Sequence, residues 1–185
     1  MKSEQISVFD IFKIGIGPSS SHTLGPWRAA QRFMASLKGL HPIETVEGIK
    51  ILLYGSLAKT GRGHGTDIAV LLGLMNADPV TFDVEAVIHT VEEIKASNKI
   101  RLANEHTVNF SYEDDLLFLF AESLPFHPNA LTFQAFLNTG NAFSETYYSI
   151  GGGFVVKEGE DNSKLLPAEL PFPVDKAQDL LHWCR

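Results

Sequence analysis

Val46-Glu47-Gly48-Ile49-Lys50-Ile51-Leu52-Leu53-Tyr54 runs straight into Gly55-Ser56-Leu57-Ala58-Lys59-Thr60-Gly61-Arg62-Gly63-His64-Gly65-Thr66-Asp67, and this junction decides the fold. The first part is dense in Val, Ile and Leu, which predicts an interior strand covered on both faces. Glycines punctuate the second part, which predicts a turn-rich stretch able to hold a side chain at an exposed, fixed position after a strand. An apolar helix from about Ile68 to Leu74 follows.

Upstream, Leu24, Trp27, Met34 and Leu37 recur at helical spacing. Pro26 fits the first turn of a helix beginning near Thr23 or Leu24, where its missing N–H would lack a partner anyway. A short capped helix opens at Ser7-Val8-Phe9-Asp10-Ile11-Phe12 and is stopped by Gly15, Gly17 and Pro18. Downstream, Val84, Val87, Ile88, Val91 and Ile94 make one stripe of a helix from about Val84 to Ala96. Beyond Lys99 the texture turns to β, with strands expected at Thr107 to Ser111, Ala130 to Leu137 and Thr146 to Val156, and a turn at Asn138-Thr139-Gly140-Asn141. A helix grouping followed by a strand grouping predicts an α+β fold, a mixed sheet with helices packed on it. Residues 1–157 are expected to form one domain, and the proline-rich stretch 158–173 a linker. Residues 174–185 begin a helix, with Ala177, Leu180, Leu181 and Cys184 on one side, and the chain reads as cut inside that element.

With 185 residues, 44% of them hydrophobic, the chain can bury a real core and is not disordered. Its 15 Lys and Arg against 22 Asp and Glu leave 15 − 22 = −7, and the basic residues form no stripe, so no nucleic-acid partner is expected. No apolar run approaches the roughly 18 residues of a membrane span, and Met1 to Asp10 lacks the layout of a signal peptide, so a cytoplasmic protein without membrane contact is expected. The single cysteine, Cys184, can form neither an internal disulfide nor, by itself, a tetrahedral zinc or iron-sulfur site.

Four segments carry candidate chemistry. In Gly15-Ile16-Gly17-Pro18-Ser19-Ser20-Ser21-His22-Thr23, hydroxyls, an imidazole and the N–H groups of a helix start could receive a carboxylate or phosphate; a Ser-rich cap explains the same residues. His64, flanked by glycines and oriented by Asp67 or Thr66, could take a proton near neutrality; a solvent histidine in a turn is the alternative. Gly151-Gly152-Gly153 marks either a close approach of backbone to a ligand or a tight hairpin. His127-Pro128-Asn129 could line a pocket or simply turn the chain into a strand. The Gly55 to Gly61 spacing does not match a phosphate loop, and neither G-x-S-x-G nor H-E-x-x-H occurs. A Ser21 and His22 dyad is not expected, because adjacent side chains rarely point at each other.

Ser7-Val8-Phe9-Asp10, Gly17-Pro18-Ser19-Ser20-Ser21-His22-Thr23, Gly55-Ser56-Leu57-Ala58, Gly63-His64-Gly65-Thr66-Asp67, His127-Pro128-Asn129 and Tyr147-Tyr148-Ser149-Ile150-Gly151-Gly152-Gly153-Phe154 share an order and spacing over nearly the whole chain. In this the sequence resembles the bacterial iron-sulfur-dependent L-serine dehydratases (L-serine ammonia-lyases), specifically the N-terminal β domain of the single-chain form. The resemblance implies a fold similar to the allosteric substrate-binding domain of some D-3-phosphoglycerate dehydrogenases. It also implies an activity, loss of water and then ammonia from L-serine to give pyruvate, with a 4Fe-4S cluster held by cysteines of a following α domain that this chain does not carry. L-serine, that α domain and a second copy in a homodimer are the implied partners, and the 185 residues alone are expected to be inactive. His64 and His22 are the implied catalytic residues, His64 in or beside abstraction of the α-proton. Ser20, Ser21, Thr23, Gly65, Thr66, Asp67, Asn129 and Gly152 are the implied substrate-binding residues. The competing expectation is a non-catalytic module that senses L-serine.

Overall fold

A computed structural model describes residues 17–160 and 176–184, so the short helix expected at Ser7 to Phe12 and most of the 158–173 linker lie outside the described residues. The elements run α1 (Leu24–Leu40), a 3-10 turn (Ile43–Thr45), β1 (Val46–Tyr54), α2 (Gly55–His64), α3 (Thr66–Leu74) and α4 (Val84–Ser97). They continue through β2 (Lys99–Leu102), β3 (His106–Asn109), α5 (Tyr112–Asp115), β4 (Leu116–Leu119), β5 (Ala130–Leu137), β6 (Ala142–Gly151), β7 (Phe154–Lys157) and α6 (Ala177–Trp183).

The seven strands form one mixed sheet in the order β2-β3-β1-β5-β6-β7, with β4 also paired to β1. On one edge β1 runs parallel to β3 at Gly48 and then to β4 from Ile51 to Tyr54. The single turn of α5 interrupts what would otherwise be one neighbouring strand. On its other edge β1 pairs antiparallel with β5, which continues through β6 and β7 as hairpins. The α+β expectation holds. The stretch from Thr146 to Val156 is two strands rather than one, turned back through Gly152 and Gly153 in the tight hairpin that the glycine run allowed.

The strand expected to be covered on both faces is fully covered on one. Ile49, Ile51 and Leu53 point into the main core, whereas Lys50 and Leu52 are half-buried on the opposite face. Strand alternation explains this: with period two, only every second residue reaches the helical layer. That layer is built on α1, whose buried Ala29, Ala30, Phe33, Met34 and Leu37 meet β5 and β6. Phe33 stacks on Phe133 with ring centroids 5.0 Å apart. On α4 the buried stripe is narrower than the apolar pattern suggests, because Val87, Val91 and Ile94 are buried while Val84 and Ile88 are each 65% exposed.

The larger correction is α2. Residues 55–64 do not form a turn-rich loop; they are a helix, despite the roughly 1 kcal/mol that each interior glycine costs relative to alanine. Burial of Leu57, Ala58 and Gly61 against the body of the domain outweighs local preference here. Its entry requires glycine: Gly55 has φ +50°, and a Cβ there would stand 2.3 Å from the carbonyl oxygen of Pro128. At its other end Gly65, left-handed with φ +74°, closes α2 and opens α3.

Candidate active site

Because α2 is helical, Ser56, Thr60 and His64 fall four residues apart on one face. His64 Nδ1 lies 2.8 Å from the carbonyl oxygen of Thr60. A carbonyl only accepts, so Nδ1 is the protonated nitrogen of the neutral ring and Nε2 keeps its lone pair. No described residue partners Nε2. Neither Asp67 nor Thr66 orients this ring, contrary to the sequence reading. Thr66 Oγ1 donates to the carbonyl oxygen of His22 at 2.6 Å, and Asp67 faces the other way and accepts from the Tyr112 hydroxyl.

His22 comes from the serine-rich loop ahead of α1, 34 residues from Ser56. Its Nε2 lies 3.0 Å from Ser56 Oγ, and its ring centroid is 5.0 Å from that of His64. Its Nδ1 lies 3.0 Å from Ser21 Oγ and 3.4 Å from Ser19 Oγ. The adjacent Ser21 and His22 side chains therefore do meet: the turn at Ser19 folds the loop back so that neighbours converge. Burial holds the His22 imidazole below its ordinary pKa; the nearby His64 lowers it further, and a hydrogen bond to the Ser56 backbone opposes both.

Three of the amide hydrogens at this helix start are engaged within the loop itself. His22 and Thr23 N–H both donate to the Ser19 carbonyl, at 3.1 and 2.9 Å, and Gly25 N–H donates to that of Ser20 at 2.8 Å. What this loop turns toward His64 is imidazole and hydroxyl, not a row of backbone donors. Thr23, buried, caps the turn by donating Oγ1 to Ser19 O at 2.7 Å. Ser20 is exposed and takes part through its backbone.

Ser149, which sequence reasoning missed as a separate site residue, holds the loop from the sheet side. It is fully buried and donates Oγ to the Ser21 carbonyl at 2.8 Å. Gly25 lets it come close, since a Cβ at that position would stand 2.0 Å from Ser149 Oγ. Asn129, also buried, donates Nδ2 to the Ser149 carbonyl at 3.3 Å, and the Asn129 N–H donates to His127 Nδ1 at 3.1 Å. His127 thus ties its own turn. Gly152 sits in the β6–β7 turn, next to Gly153, whose carbonyl accepts from Arg28 Nη1 at 3.1 Å.

Asp67 is 8% exposed, and its Oδ1 has no hydrogen-bond partner among the described residues. Burial, then the bond to Asp67, pushes the Tyr112 hydroxyl above its ordinary range, so it stays a donor. Lys95 lies 4.0 Å over the Tyr112 ring. The structure thus brings together Ser21, His22, Thr66 and His64, with Ser19, Ser56 and Thr60 as additions. It sets Asp67 with Tyr112, and Asn129 with Ser149.

Two half-buried imidazoles flanked by hydroxyls thus face each other where β1 gives way to α2. The family model of the serine dehydratase beta chain matches residues 7–160, and the chain belongs to that family. It is 46% identical over 97% of its length to the L-serine dehydratase of Streptomyces coelicolor. It is 41% identical to L-serine dehydratase 2 of Escherichia coli and 43% to the L-serine dehydratase of Helicobacter pylori, again over 97% of its length. In each case it spans about two fifths of the relative, 40%.

Iron-sulfur clusters take cysteine thiolates. This chain offers one, the exposed Cys184, and among the described residues no three His, Cys, Asp or Glu side chains are grouped to hold a metal. The donor set does not fit such a cluster. No described helix is long and apolar enough to cross a membrane.

Proposed function

We propose that this chain supplies the base-bearing part of an L-serine dehydratase active site, in an enzyme that converts L-serine to pyruvate and ammonia. The observation that carries the reading is the fixed tautomer of His64: Nδ1–H is committed to the Thr60 carbonyl, which leaves Nε2 with a free lone pair beside a neutral His22. An α-proton next to a carboxylate is a weak carbon acid, and its removal needs a base with an available lone pair at neutral pH. His64 removes that proton and, as imidazolium, returns it to the departing β-hydroxyl, which leaves as water; the resulting enamine tautomerises to an imine that water hydrolyses to pyruvate and ammonia.

His22 serves beside it as an uncharged hydrogen-bonding group rather than as a second base, because its ring nitrogens are engaged by Ser21 and Ser56. Ser20, Ser21, Thr23 and Thr66 shape the substrate side of the loop, and Asn129 and Gly152 the sheet side. Asp67, buried against Tyr112, is proposed to serve the substrate side indirectly, by holding the start of α3 beside Thr66. A cluster in the whole enzyme would draw its thiolates from outside these 185 residues, in the α domain proposed as the partner. His64→Gln in the complete enzyme is the test: pyruvate formation from L-serine falls steeply, whereas normal turnover overturns the reading.

A further inference from the structure

We propose that Ser56 is a positioning residue of this site: its hydroxyl, 3.0 Å from Nε2 of His22, holds the ring plane in which His22 faces His64. The functional part of this inference rests on the reading of the pair as a proton-transfer site; the structural part does not.

Ser56 is launched from backbone held on both sides. Its N–H donates to the Pro128 carbonyl at 2.9 Å, and its own carbonyl accepts from Thr60 Oγ1 at 2.9 Å. The preceding Gly55, with φ +50°, is packed against that same Pro128 carbonyl, so the first turn of α2 has little freedom to shift. The hydroxyl therefore reaches His22 from a rigid element, while Ser21 reaches the other ring nitrogen from the loop.

A neutral imidazole has one donor and one acceptor nitrogen, and a hydroxyl can play either part. Two hydroxyls, one on each nitrogen, satisfy the neutral ring in either tautomer and hold its plane. Ser56 also joins the two halves of the pair. Its helix carries His64, with Thr60 between them holding the His64 ring through its carbonyl. One turn-to-turn row of Ser56, Thr60 and His64 thereby sets both imidazoles at once. Without the Ser56 hydroxyl, His22 keeps Ser21 on one side and loses its side-chain anchor to α2 on the other.

The test is a proton–proton NOE spectrum of the 185-residue chain, which reads the approach of the two rings. In the unaltered chain the ring protons of His22 give cross-peaks to those of His64. Ser56→Ala weakens those cross-peaks while the amide spectrum keeps its dispersion, and Ser56→Thr restores them. Ser56→Cys, which keeps the bulk and weakens the hydrogen bond, behaves as Ser56→Ala and serves if the alanine variant does not fold. Cross-peaks equally strong in the unaltered, alanine and cysteine chains overturn the inference. In the complete enzyme, Ser56→Ala lowers kcat about tenfold with KM little changed, and Ser56→Thr recovers it. A kcat equal to that of the unaltered enzyme, with the cross-peaks weakened, overturns the functional part alone. The NMR result does not depend on turnover, so failure of the dehydratase reading is separable from failure of this one.

Discussion

Replacing His64 with Gln should raise the pKa of His22, and the structure bounds the repulsion that is relieved. The two ring centroids are 5.0 Å apart. Unit charges at that separation repel by about 0.8 kcal/mol in water and by about 3 kcal/mol at the effective dielectric of 20 that suits partly buried sites. Burial is the larger cause of the depressed His22 value and survives the substitution, so the recovery is partial. A pH titration of the His22 ring by NMR, in the unaltered chain and in His64→Gln, measures it. An upward move of the midpoint is expected. An unmoved midpoint, with the fold intact, would refute the claim that the two imidazoles interact.

Three further outcomes follow from the same contacts. Because His22 is depressed in the folded chain, the unfolded state binds more protons between that lowered value and the ordinary 6.5; stability should therefore fall as pH drops through this window. Urea melts of unaltered and His22→Gln chains between pH 7 and 5 check it, the variant losing less. Gly25→Ala, which drives a Cβ to 2.0 Å from Ser149 Oγ, should cost about 1–3 kcal/mol net of any gain in helix preference, and less than that when combined with Ser149→Gly. Tyr112→Phe should cost about 2–3 kcal/mol in a denaturant melt, because it leaves the buried Asp67 carboxylate with neither oxygen partnered.

Much of this site was written in the sequence, but not its wiring. The strand at Val46 to Tyr54 and the helix through Trp27 and Leu37 followed from apolar spacing, and the histidines at 22 and 64 stood out for their surroundings. The helix at 55–64 did not, because its glycines lower local helix preference and only burial of Leu57, Ala58 and Gly61 restores it. With that helix unread, the spacing of Ser56, Thr60 and His64 lost its meaning, although i, i+4, i+8 is a pattern sequence reasoning can use. The approach of His22 to Ser56 spans 34 residues and is set by how α1 and α2 pack, which no local pattern encodes. Tyr112 was equally hidden: it lies in a single helical turn that interrupts a strand, and its partner Asp67 is 45 residues earlier. Strands β2 and β4 span four residues each, too short for alternation to separate them from turns.

The central claim is that Nε2 of His64 takes the α-proton of L-serine, and chemical rescue tests it most directly. In the complete enzyme carrying His64→Ala, pyruvate formation from L-serine is measured without and with added imidazole. Loss of a general base of this kind lowers turnover by about a hundredfold to ten-thousandfold. The account predicts such a loss, with part of the rate returning as imidazole is added. Turnover of the alanine variant equal to that of the unaltered enzyme would contradict it.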